Sequence, residues 1–222
     1  MTTIQLSYNY ETLKTSVRYW LHGRGYNTAL RAMDEGLRWH TGSRKDGLPE
    51  FSHQIFQVAF ARSLADLMIR PENTLAVIFL HDLVEDHSPE LSSVYADFGD
   101  EIGNGVELMT NVDQQGNKKS TATYYGSMSY NPLASIAKGV DRMHNFQSMN
   151  GVFDLDKQVR YIEETDKYII PMLKEARKNF PEQEPVYQNI KHVLRTQIEL
   201  FHYTHAATRD KEFSEGLASA MM

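Results

Sequence analysis

The most constraining feature of this chain is its period. Between residues 26 and 40, Ala29, Leu30, Met33 and Leu37 recur at steps of three and four, which puts apolar side chains on one face of an α-helix. The same spacing returns along most of the sequence, and no run alternates as a half-buried strand requires. The pattern predicts an all-α fold, an irregular helical bundle.

Helices are predicted over 8–21, 26–40, 52–69 and 71–85, with two short ones within 90–111. Further helices follow over 123–129, 132–149, 155–179 and 185–205. Gly23 and Gly25 separate the first pair, and Gly42 stops the second helix. Ser52 is read as the cap of the third helix, and Pro71 as the opening residue of the fourth. The stretch 42–49 and the polar run DQQGNKKS over 113–120 read as loops. Beyond Ala206 the pattern weakens, and the end is expected to fray.

With 222 residues and 41% hydrophobic composition, the chain can bury one sizeable core. It has no Cys, so any metal must be held by His, carboxylates and water. A formal charge of −6 argues against binding a nucleic-acid polymer, while a local basic pocket or a metal can still receive a nucleotide. The first residues lack a signal-peptide core and no stretch matches a membrane span, so a cytoplasmic protein with no membrane partner is expected. Oligomeric state has no signature in the sequence.

The chemistry concentrates in Leu80-His81-Asp82-Leu83-Val84-Glu85-Asp86, at the end of the apolar run 75–80. Neighbours on a helix diverge by about 100°, yet His81 and Asp82 can bracket an ion beside the helix axis. Glu85 lies one turn beyond His81 and Asp86 one turn beyond Asp82. Four ionisable groups at the end of a core helix are costly unless a cation or hydrogen bonds compensate them. A lone His-Asp pair is ordinarily a solvated helix end. Here His53 stands on a preceding helix and Asp141-Arg142-Met143-His144-Asn145 on a later one, completing an H…HD…D order. Lys138, Asp141 and Asn145 share a helical face, which predicts Asp141 on the ion and Lys138 and Asn145 toward a ligand. His144 is read as an ordinary histidine. His22, His40, His87, His192, His202 and His205 show no converging partner.

Three ordered motifs carry a resemblance: Arg44-Lys45-Asp46-Gly47-x-Pro49…His53, Leu80-His81-Asp82-x-x-Glu85-Asp86, and Lys138-x-x-Asp141-Arg142-x-His144-Asn145. Over residues 26–150 the chain resembles the hydrolase domain of the RelA/SpoT group, most of all the stand-alone small alarmone hydrolases. The resemblance implies an HD-type helical fold for these motifs; with the helical pattern around them, a single domain over 1–207 is expected, with 208–222 as a weakly patterned, frayed tail. It also implies manganese-dependent removal of the 3′-pyrophosphate of (p)ppGpp. His53, His81, Asp82 and Asp141 match the family's metal ligands, and Glu85 and Asp86 its catalytic acidic pair. Arg44 matches an arginine near the guanine, and Asn145 an asparagine near the ribose. Two stretches depart from the pattern. Pro49-Glu50-Phe51-Ser52-His53-Gln54 stands where members often have Pro-Tyr-Ile-x-His-Pro, and Thr110-Asn111-Val112 stands where Thr-Lys-Leu is usual. Nothing after Asn150 resembles a synthetase, so hydrolysis rather than synthesis is expected.

Two His and two carboxylates leave positions open on an octahedral ion, which suits manganese; zinc and iron accept the same donors. Arg44 and Lys45 are placed to meet phosphates or a base, with exposed turn charges as the plainer alternative for Lys45. Tyr124 is a further candidate contact to ribose or base, against the commoner role of a core aromatic. Two other functions fit the motifs: another nucleotide phosphohydrolase, such as an NADPH 2′-phosphatase or a nucleotidase, and a non-catalytic helical binding module.

Overall fold

In a computed structural model of the chain, residues 9–87, 90–112, 117–150 and 152–220 are described, with side chains through His205. Among them no strand forms; two isolated bridges, Ser43 to Pro49 and Val112 to Lys118, pin loops. Residues 113–116 of the expected polar loop lie outside the described residues.

The first half of the chain contains α1 (Tyr10–Arg24), α2 (Asn27–Trp39), α3 (Ser52–Ala61), α4 (Pro71–Leu80), the single turn α5 (Leu83–Asp86), α6 (Leu91–Phe98) and α7 (Asp100–Met109). The second half contains α8 (Thr121–Met128), α9 (Pro132–Ser148), α10 (Leu155–Glu164), α11 (Ile170–Asn179) and α12 (Glu184–Ala220). The boundaries follow local chemistry. Asn9, Ser120, Asn131 and Asp154 cap α1, α8, α9 and α10 through side-chain oxygens that accept first-turn N–H groups. Pro71 and Pro132 open their helices, where a missing N–H costs nothing.

The centre of the bundle is α4. Every residue from Thr74 to Leu80 is buried, as an apolar helix without a polar face must be. It packs against α2, α3, α7 and α9. Helix α9 is nearly as deep, and α12 crosses it at Gly139, where an added Cβ would lie 2.8 Å from Ile190. Gly36 of α2 takes the edge of the Phe51 ring, 2.3 Å from where a Cβ would stand.

Several expected helices are interrupted. The one predicted over 52–69 is α3 followed by a 3₁₀ segment, Arg62–Leu67. Ser52 does not cap it: the residue lies inside α3, buried, and its hydroxyl has no partner among the described residues. The helix predicted over 71–85 stops at Leu80, turns through His81 and Asp82, and resumes as α5. The segment 155–179 is split by a π turn, Thr165–Ile169, in which the Ile170 N–H donates to the Thr165 carbonyl five residues back. Pro171 explains the slip, because it has no N–H to donate and its ring crowds the preceding turn. The last helix runs through Ala220, so the backbone is helical where an irregular end was expected. No helix among the described residues is long and apolar enough to cross a membrane.

Candidate functional site

Three elements carry the expected metal donors to one place. His53 is the second residue of α3, His81 and Asp82 form the turn after α4, and Asp141 lies midway along α9. The turn at Asp82 (φ −92°, ψ −5°) lets two sequence neighbours address one point. His81 Nε2 is 3.0 Å from Asp82 Oδ2 and 3.7 Å from Asp141 Oδ1. His53 Nε2 is 3.0 Å from Asp141 Oδ1 and 3.8 Å from Asp82 Oδ2. Donor atoms of His53, His81 and Asp82 all lie within 4.8 Å of one another.

The surroundings suit these groups to act as ligands. His81 Nδ1 donates to the Ile78 carbonyl at 2.8 Å, which turns Nε2 toward the two carboxylates, where a cation could take the place of its proton. That nitrogen is buried and makes no hydrogen bond. Such an orphaned atom beside two carboxylates fits a cation. Burial lowers the His81 pKa, but Asp82 and Asp141 outweigh it and bring it up to about 10. Burial raises Asp82, yet His81 and His53 hold it below the usual carboxylate range. Burial depresses His53.

Asp141 is braced on both oxygens. Lys138 Nζ lies 3.0 Å from Oδ2, and Asn145 Nδ2 donates to Oδ1 at 2.9 Å. Burial pushes this carboxyl up, but Lys138 and the two histidines hold it well below its ordinary value. Lys138 and Asn145, expected to face a ligand, thus both reach Asp141, the candidate metal-donor aspartate. Tyr124 is a core residue, with its hydroxyl donating to the Met109 carbonyl at 2.5 Å and Lys138 over its ring.

A cavity of about 400 Å³ opens beside the donors, lined among others by Arg44, Lys45, His53, Asp82, Asp86 and Phe153. Arg44 and Lys45 are presented by a tight turn, in which Arg44 N–H bonds the Leu48 carbonyl and Gly47 takes φ 84°. Arg44 also reaches Ser148 Oγ at 3.4 Å. The expected acidic pair divides. Asp86 lines the cavity, its carboxyl raised by partial burial and then by Asp82 and Glu85. Glu85 does not line it; its carboxylate accepts the Asn111 N–H.

The sequence gives three contributors no role, although Arg142 and His144 fall within the third motif. His144, read as an ordinary histidine, places Nδ1 2.7 Å from His53 Nδ1. Burial, then the nearby His53 and Arg44, push it down to about 3, so it is neutral. Gln57 Nε2 is 2.6 Å from His53 Nε2, one turn along α3, and a polar residue at that step from His53 is the only hint of it. Arg142 is buried and bonds Glu164 at 2.7 Å and the Tyr161 carbonyl at 3.1 Å, locking α10 to α9. His40 and His87, which lack converging partners in the sequence, meet with ring centroids 4.4 Å apart.

No family model matches the chain. It is similar, at 31% identity over 134 residues, to a probable GTP pyrophosphokinase of Mycobacterium leprae, covering 58% of this chain and 16% of that protein. It is 30% identical over 148 residues to a GTP pyrophosphokinase of Streptomyces coelicolor, covering 64% of this chain and 17% of the relative. A GTP pyrophosphokinase rsh of Brucella ovis is 31% identical over 136 residues, with coverages of 58% and 18%. The matched stretch is thus less than a fifth of each relative's length.

Proposed function

We propose that this chain is a metal-dependent phosphohydrolase of the RelA/SpoT type, which removes the 3′-pyrophosphate of (p)ppGpp and releases pyrophosphate with GDP or GTP. One observation carries the reading: His53, His81, Asp82 and Asp141 converge from three elements beside a cavity that also holds Arg44 and Lys45. The names of the similar proteins support a guanine nucleotide and a pyrophosphoryl group as the chemistry involved. Those names describe attachment of pyrophosphate to GTP. The residues of this cavity favour hydrolysis, because they are metal donors and carboxylates suited to activating water.

His53, His81, Asp82 and Asp141 would hold manganese, with zinc and iron as ions that accept the same donors. The ion, when bound, supplies positive charge for the phosphoryl oxygens and makes water more acidic. Asp86, whose carboxyl is raised by its surroundings, takes a proton from the attacking water and returns one to the 3′-oxygen as its bond to phosphorus breaks. Arg44 and Lys45 offset the phosphate charge at the mouth. Glu85 holds the segment after α7, and Lys138 and Asn145 orient Asp141.

A second reading follows from Gln54, which lines the cavity and donates to Asp82 Oδ2 at 3.4 Å where the resemblance has proline. A wall altered at this point favours a different phosphorylated nucleotide. The test is product analysis with manganese and (p)ppGpp, NADPH and plain nucleotides. The proposal predicts pyrophosphate from (p)ppGpp. Orthophosphate as the sole product, from any substrate, sinks the alarmone reading.

A further inference from the structure

Gln57 packs its side-chain amide against the candidate donor atom of His53. The residue is 1% exposed and sits one turn after His53 on α3. Its Nε2 lies 2.6 Å from His53 Nε2, while its Oε1 is buried and bonded to nothing among the described residues. An imidazole that binds a metal through Nε2 keeps its proton on Nδ1, and His144 Nδ1, 2.7 Å from His53 Nδ1, is placed to accept that proton once an ion takes Nε2. In that tautomer Nε2 has one lone pair. It can receive the Gln57 N–H or an ion, but not both.

We infer that Gln57 is a fifth protein ligand of the metal centre: its amide turns over when the ion arrives and presents Oε1. The amide's oxygen and nitrogen have nearly the same shape, so the turnover needs no new space. It removes a donor from a cationic environment and gives the orphaned oxygen a partner. A buried amide oxygen without a partner costs roughly 1–3 kcal/mol, which metal binding would recover.

The consequence is ion selectivity. His53, His81, Asp82, Asp141 and Gln57 together offer two nitrogen and three oxygen sources, leaving one position of an octahedral ion for water or substrate. Manganese accepts that number and that softness. Zinc closes readily with four donors and gains less from the fifth.

This inference rests on the metal-centre reading and is tested by affinity rather than turnover. Mn²⁺ and Zn²⁺ binding would be measured by calorimetry on the wild type, Gln57→Leu, Gln57→Glu and His81→Ala, with far-UV circular dichroism on each. Gln57→Leu is expected to weaken Mn²⁺ binding roughly 10- to 100-fold, on the scale of lost metal-site partners. It should leave Zn²⁺ within a few-fold of wild type. Gln57→Glu, which keeps an oxygen donor, should bind Mn²⁺ at least as tightly as wild type. Equal Mn²⁺ affinity in wild type and Gln57→Leu overturns the inference, as do equal losses for both ions, the mark of a packing role. Should Gln57→Leu fail to fold, Gln57→Glu decides: tight Mn²⁺ binding supports the ligand role and weakened binding refutes it. A wild type that binds no Mn²⁺, like His81→Ala, refutes the metal centre itself along with the inference.

Discussion

His53 and His144 face each other through their Nδ1 atoms at 2.7 Å, with the His144 ring also stacked 5.4 Å from Phe56. Because His144 is kept neutral by burial, it can accept the His53 Nδ1–H and fix the tautomer that turns Nε2 toward Asp141 and Asp82. Replacing His144 by Leu removes the acceptor. Metal affinity should then fall roughly 10- to 100-fold by calorimetry, and His144→Gln, which restores an acceptor, should recover much of it. Equal affinities for the two variants would show that His144 matters only as volume.

Lys138 and Asp141 form a pair whose side chains are 13% and 7% exposed, 3.0 Å apart. Lys138→Met leaves a buried carboxylate without its cation, at a cost of about 3 kcal/mol. A bound divalent ion supplies replacement charge. Urea unfolding should therefore show a large loss of stability in chelator and a smaller one with saturating Mn²⁺. A loss independent of metal would separate Lys138 from the centre.

Much of the candidate site can be read from the residues themselves, because the proposed metal donors sit in short local patterns. His81-Asp82 ends an apolar run, and Asp141 recurs with Lys138 and Asn145 at helical spacing. The helices were equally legible where caps and prolines mark them, as at Asn131-Pro132. What escaped depends on residues far apart in the chain. Nothing near Glu85 announces that Asn111 will take its carboxylate, and nothing near His144 announces His53, 91 positions away. The breaks at His81 and Thr165 escaped for another reason: the flanking segments keep their helical period on both sides, and only the backbone between them changes.

Close backbone packing behind the site is also testable. A Cβ at Gly36 would fall 2.3 Å from Phe51, which leads directly into the helix bearing His53, and 3.1 Å from the Phe79 carbonyl. Gly36→Ala should cost about 1–3 kcal/mol of stability through overpacking, read from the denaturation midpoint. An unchanged midpoint would mean that the Phe51 ring moves freely.

Away from the site, Lys191 has a covered stem, and its pKa is lowered by burial and then by Arg177, Arg195 and Lys174. A base with a lowered folded pKa destabilises the fold while it is protonated in both states. That penalty is full at neutral pH and fades as pH rises through the folded value toward the unfolded one near 10.4. Lys191→Met should therefore stabilise the protein by about 0.5–1 kcal/mol at pH 7, with the gain shrinking in alkali and in salt. A gain that persists unchanged at alkaline pH would assign it to packing alone.

The most direct test of the central claim is pyrophosphate release from (p)ppGpp by the purified protein with Mn²⁺, with chelator, and as Asp82→Ala. The account predicts release that depends on Mn²⁺, stops with chelator, and is abolished in Asp82→Ala together with its metal, while the helical circular dichroism signal is retained. Undiminished release by Asp82→Ala, or none from a wild type shown to hold Mn²⁺, would contradict it.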